Sequence, residues 1–151
     1  MTDTASPRSE TILVVDDEPA LRELIRVVLK MNGYRVLEAG SGQEALRILA
    51  SSPAPIHLML SDVLMPDMNG QELAEQTHQR YPETRILLIS GYTGTSDFFD
   101  WATQAGVVFL PKPFNVEDLE RVVREALDGY CPLYETCDSQ LHETALSWTI
   151  P

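Results

Sequence analysis

The chain has 151 residues and carries 11 Lys+Arg against 23 Asp+Glu, a formal net charge of -12 at pH 7. That length suits one domain with a real core and is short for two ordinary ones. A field of this sign repels a phosphate backbone and an anionic bilayer surface, so neither direct DNA binding nor membrane insertion is expected.

Residues 1–10 (MTDTASPRSE) are polar, without the basic and apolar regions of an export signal, and are expected to be disordered. With no apolar run near the ~20 residues of a membrane span, the expected compartment is the cytoplasm. Thr11–Val15 (TILVV) is a continuous β-branched run, as in a strand covered on both faces. A helix follows with Pro19 in its first turn, where the missing N–H costs nothing. Leu21, Leu24, Ile25 and Val28 keep helical spacing, and Gly33 is placed to end it. Tyr34–Ala39 reads as the second strand, and Ser41 as the N-cap of a helix through Ala50. Pro53 and Pro55 break the chain before a third strand, Ile56–Ser61, in which His57 is expected to pack into the core.

The turn PDMNG leads to a helix from Gly70 to Arg80, ended by Pro82, with His78 on its surface. Arg85–Ser90 is the fourth strand, Ser96–Gln104 the next helix, Val107–Leu110 a short fifth strand, and Asn115 caps a last helix over Val116–Asp128. Strict alternation of five strands and five helices predicts a single α/β domain, residues 11–128, with one five-stranded parallel sheet covered on both faces. Residues 129–151 are an acidic tail without Lys or Arg, expected to be disordered, docked on the body or a partner segment. Leu141, Ala145 and Trp148 would share one face if a short helix forms there. Cys131 and Cys137 lie there and, without an export signal, are expected as reduced thiols rather than a short-range disulfide; with His142 they also fall short of a zinc set.

The ends of the strands carry the chemistry. One run ends at Asp16-Asp17, another at Asp62, and a third at Lys112, while Ser90 closes the fourth. In an open parallel sheet these positions share the carboxyl edge, where such folds place their sites. Like charges ~4 Å apart repel by about 4 kcal/mol at a near-surface dielectric. Three carboxylates against one ammonium therefore call for a divalent metal.

Each motif alone has an ordinary explanation. Asp16-Asp17-Glu18 could complement a helix dipole, Asp67-Met68-Asn69-Gly70 could be a turn, and Lys112 a loop lysine. Gly40-Ser41-Gly42-Gln43-Glu44-Ala45 also fits a dinucleotide-binding pattern, with Asp62 at a suitable distance. That reading leaves Asp16-Asp17 and Lys112-Pro113 without a role. An aspartyl phosphatase is disfavoured because Val63-Leu64 follows Asp62, where the D-x-D pattern has its acid.

Taken in order, VVDDEP, SDVLMPDMNG, SGYT and LPKPF resemble the receiver domains of two-component response regulators, over Glu10 to Asp128. The resemblance implies a flavodoxin-like fold with strand order 2-1-3-4-5, the order known for chemotaxis receivers. It implies that Asp62 accepts a phosphoryl group from a phosphohistidine on a histidine kinase or histidine phosphotransfer protein. Asp17 and Asp16, with Asp62 and the Leu64 carbonyl, would hold Mg²⁺, while Lys112 and Ser90 would bind phosphoryl oxygens. The Lys112–Pro113 bond would be cis. Ser90 and Phe109 would be the switch pair, acting on a surface of the fourth helix, fifth strand and fifth helix that meets an output protein or a second copy.

Ser90 stands where Thr is commoner in the family, and Phe109 where Tyr is. The stretch from Gly106 to Lys112 looks one residue short. Leu64 and Tyr92 occupy positions that, by the resemblance, border the water path to the phosphoryl group, and they are expected to slow its loss. Phe98, Phe99 and Trp101 cannot all face the core, so Phe99 and Trp101 are candidates for an exposed partner surface. The alternative function is a receiver-shaped interaction module whose binding does not depend on phosphorylation.

Overall fold

The structure is a computed structural model that describes residues 10–91 and 96–128. Tyr92, both cysteines, the tail 129–151 and nearly all of the polar N-terminus lie outside the described residues. Five strands, β1 (Thr11–Val15), β2 (Arg35–Ala39), β3 (Leu58–Asp62), β4 (Arg85–Ser90) and β5 (Val108–Pro111), alternate with five helices. These are α1 (Pro19–Met31), α2 (Gly42–Ser51), α3 (Gly70–Arg80), α4 (Ser96–Ala105) and α5 (Val116–Leu127). All strand pairs are parallel, in the order β2-β1-β3-β4-β5.

The period-2 pleat divides the apolar runs between two cores. Ile12, Val14, Leu58, Leu60, Leu87 and Ile89 face α1 and α5, packing on Ile25, Leu29, Leu119 and Val123. Leu13, Val15, Met59, Ile86 and Leu88 face the other helices, packing on Ala45, Leu49, Leu73, Phe98 and Ala102. Burial on both faces explains why β1 and β3 have no alternation of polar residues.

Helix ends follow local chemistry. Ser41 Oγ accepts from Glu44 N–H at 3.1 Å while Glu44 Oε1 accepts from Gly40 N–H at 2.9 Å, and Asn115 forms a reciprocal box with Asp118. Gly33 (φ 91°) and Gly106 (φ 81°) stop α1 and α4 in the left-handed region that glycine adopts freely. Tyr34 N–H to Leu29 and Val107 N–H to Ala102 close both motifs, at 3.2 and 2.8 Å.

Several expectations need correction. β3 begins at Leu58, so His57 precedes the strand; it is half-buried and its Nδ1 accepts the Thr11 N–H at 2.9 Å. It serves as a backbone splice between β1 and β3, where an apolar core contact was expected. Leu24 has helical spacing but faces solvent at 47% exposure, together with Val27 and Met31. β5 runs one residue later than expected, to Pro111. Phe99 and Trp101 are half-buried and belong to opposite cores. Trp101 stacks on Phe98 and meets the half-buried His78 edge-on, both with ring centroids 5.7 Å apart. Phe99 and Trp101 are thus both partly covered, while Phe98 is buried at 2% exposure. Among the described residues no helix is long and apolar enough to cross a membrane.

Candidate functional site at the carboxyl edge of the sheet

β1 and β3 are neighbours whose following helices depart to opposite faces, leaving a crevice at their carboxyl ends. Asp16 emerges there from β1 and is buried at 2% exposure, while Asp17 points into solvent. Asp62 closes β3 and is buried at 8%. Its Oδ1 accepts the Leu64 N–H at 3.2 Å and its Oδ2 pairs with Lys112 Nζ at 3.0 Å. That ion pair links residues fifty positions apart and joins β3 to the segment after β5. Lys112 N–H donates to the Ser90 carbonyl at 3.1 Å, and the Lys112–Pro113 bond is cis, as expected. Ser90, buried at the end of β4, lies opposite Pro111 in the sheet register.

Phe109 is half-buried on β5, stacked on Phe99 at 5.5 Å between centroids and edge-on to Phe98 at 6.2 Å. It thus connects the strand that precedes Lys112 with α4. The exposed Leu64 side chain stands two residues after Asp62, beyond the buried Val63.

Burial pushes the Asp16 carboxyl above its ordinary range, and the Asp62 and Asp17 carboxylates push the same way. The Glu18 N–H on Asp16 Oδ1, at 2.8 Å, and the Lys112 ammonium oppose them without cancelling the rise. The edge is therefore short of positive charge. Among the described residues no three Asp, Glu, His or Cys side chains are grouped so as to hold a metal ion by themselves. The donors are hard oxygens with one side in water. That chemistry fits Mg²⁺, which keeps several waters and takes one or two carboxylates.

A raised carboxyl pKa means that ionising Asp16 costs stability. Its contribution is present below the unfolded value near 3.8 and is lost as pH rises through the raised folded value. Asp16→Asn is therefore expected to raise the melting temperature of the magnesium-free protein at pH 7. The gain should shrink as pH approaches about 4. Thermal melts at the two pH values check this, and an equal gain at both would contradict it.

Two glycines near the site are required by close packing. Gly70 opens α3 with an ordinary φ, and its N–H donates to the Val63 carbonyl at 2.7 Å. A Cβ there would land on the Asp62 carbonyl and within 2.7 Å of Val63 Cα. Gly70 lets the β3–α3 loop fold back against the backbone of Asp62. A Cβ on Gly42 would come within 2.9 Å of Met68 Cβ in the same loop. The second glycine of the dinucleotide-like motif is thus a packing contact.

Five parallel strands wound in this order, with an acid pair, a buried aspartate and a lysine around one switch point, define a signalling receiver module. Residues 12–124 match the response regulator receiver domain, and the chain belongs to that family. It is 38% identical over 119 residues to the response regulator MprA of Mycobacterium ulcerans, covering 79% of this chain and 50% of that protein. Over 120 residues it is 36% identical to the sensor kinase CckA of Brucella abortus, covering 80% of this chain and 13% of that one. A CheY-like receiver domain protein from Methanospirillum hungatei JF-1 superposes with a TM-score of 0.71 at 30% identity, covering 80% of this chain and 95% of that structure. The chain spans half or less of the length of these curated relatives. It is a receiver domain of the two-component response-regulator type, a signalling module distinct from a conventional enzyme.

Proposed function

We propose that this receiver is a phosphoacceptor switch in a two-component relay, with Asp62 as the group that reacts. The observation that carries the reading is the Asp62–Lys112 pair at 3.0 Å beside the buried, charge-strained Asp16. An Asp62 oxygen would attack the phosphorus of a phosphohistidine on a histidine kinase or phosphotransfer protein. A P–O bond forms, the P–N bond breaks, and the imidazole leaves with the bonding pair and takes up a proton. Such transfer depends on in-line positioning and on neutralised charge more than on covalent help. Mg²⁺, held by Asp17, Asp16, Asp62 and the Leu64 carbonyl, would supply that neutralisation.

Lys112 would exchange its carboxylate partner for a phosphoryl oxygen, and the Ser90 hydroxyl would bind another. The new group adds about -1.5 to -2 charge at the sheet edge. Ser90 moving towards it would free space for Phe109, whose stacking on Phe99 passes the change to α4 and the α4-β5-α5 surface. An output protein or a second copy of the chain would read that surface. The net charge of -12 supports a protein partner over DNA.

Incubation with a small phosphodonor tests the reading. Incorporation that requires Mg²⁺ and alters oligomeric state or partner binding supports it. Binding that is indifferent to the phosphodonor would favour a phosphorylation-independent interaction module. Leu64→Asn is expected to shorten the phosphoryl lifetime, because a polar amide replaces the apolar side chain beside the acceptor. Decay of the phosphorylated variant and wild type, followed by intact mass, checks this; equal lifetimes would contradict it.

A further inference from the structure

The acid pair stands on a short link, residues 16–18, whose outer residues Asp17 and Glu18 face solvent. Few contacts hold it. Asp16 N–H donates to the Ala39 carbonyl at 3.1 Å, and Asp16 Oδ1 accepts from Glu18 N–H. Two ties come from α1: Arg22 N–H donates to the Glu18 carbonyl at 3.0 Å, and Arg22 Nη1 donates to the Asp16 carbonyl at 2.6 Å. The same guanidinium pairs through Nε with Glu38 Oε1 of β2 at 3.2 Å. Glu38 is itself fixed through Oε2 by Arg26 Nε at 3.2 Å. A Cβ on Gly40 would lie 3.4 Å from Arg22 Nη1, an ordinary contact, so the β2–α2 turn lies directly against the guanidinium.

An exposed ion pair would be worth little. Here the Arg22 side chain is 22% exposed and its planar fork spans two differently directed acceptors, a backbone carbonyl and a carboxylate. A lysine offers one compact charge and cannot reproduce that geometry. Groups that orient metal ligands from behind commonly change metal affinity without touching the ion.

We propose that Arg22 is the positioning residue of the acid pair. Its fork, aimed by Glu38, holds the Asp16 carbonyl so that Asp16 and Asp17 stand ready for a divalent cation. This rests on the magnesium reading above. A through-space effect of the guanidinium charge predicts the opposite sign, because removing a nearby positive charge should favour a cation.

Calorimetric titration with Mg²⁺ separates the two. Arg22→Lys, which keeps the charge and loses the fork, is expected to weaken Mg²⁺ binding about tenfold. Arg22→Met should weaken it too, and Glu38→Gln should shift it in the same direction. Without metal, amide exchange at Glu18 should accelerate in Arg22→Lys while Leu87 and Leu88 in β4 stay protected. That pattern distinguishes positioning from general destabilisation, and Glu38→Gln provides the test if an Arg22 variant does not fold. Wild-type affinity in Arg22→Lys, tighter binding in Arg22→Met, or unchanged exchange at Glu18 would overturn the proposal. Wild type that takes up no Mg²⁺ would overturn the magnesium reading and this proposal together. Binding by wild type with an unaffected Arg22→Lys overturns this proposal alone.

Discussion

Asp62→Asn is expected to lose phosphoryl incorporation by on the order of 10³-fold or more while remaining folded. The amide keeps an oxygen to accept the Leu64 N–H, so the start of the β3–α3 loop retains its tie. It loses the anionic oxygen that would attack phosphorus and the partner of Lys112 Nζ. Few substitutions alter so little shape and so much chemistry. Intact mass after incubation with Mg²⁺ and a small phosphodonor reads the result. Incorporation at the wild-type level would place the acceptor elsewhere in the chain.

Gly70→Ala is expected to act against its own helix propensity. Alanine in a helix ordinarily gains about 1 kcal/mol over glycine. At Gly70 the added methyl meets the Asp62 carbonyl and Val63 Cα, both backbone atoms that cannot rotate away. Crowding of that kind costs about 1–3 kcal/mol, so the net change should be a loss of stability. Because the displaced atoms belong to Asp62 and its neighbour, phosphoryl incorporation should slow in the molecules that remain folded. Urea unfolding gives the first quantity and the rate of mass gain the second. A stabilised variant with an unaltered rate would show that the loop has slack.

The sequence made legible what depends on local pattern. The β-branched runs, the caps at Ser41 and Asn115, and Gly33 and Gly106 behind their helices each carry their cause within a few residues. The candidate site was legible for a related reason: in a parallel sheet, the residue that follows a strand inherits its place from the strand. Asp16, Asp62, Ser90 and Lys112 are brought to one edge in that way. What escaped depends on contacts distant in sequence. His57 looks like one more residue of an apolar run until Thr11 N–H is found on its ring. Phe99 and Trp101 look like neighbours on a helix until the sheet assigns them to different cores. Gly70 was read as turn chemistry, yet it adopts an ordinary φ and is required by the approach of the Asp62 backbone. The one signal available was a glycine at the first position of a helix already capped by Asn69.

Locating the phosphoryl group tests the central claim most directly. The chain is incubated with Mg²⁺ and a small phosphodonor, the acyl phosphate is reduced with borohydride, and the altered residue is found by peptide mass spectrometry. The account predicts one mark, at Asp62, which disappears when the divalent cation is chelated. A mark at another residue, or one at Asp62 that forms equally well without the cation, would contradict it.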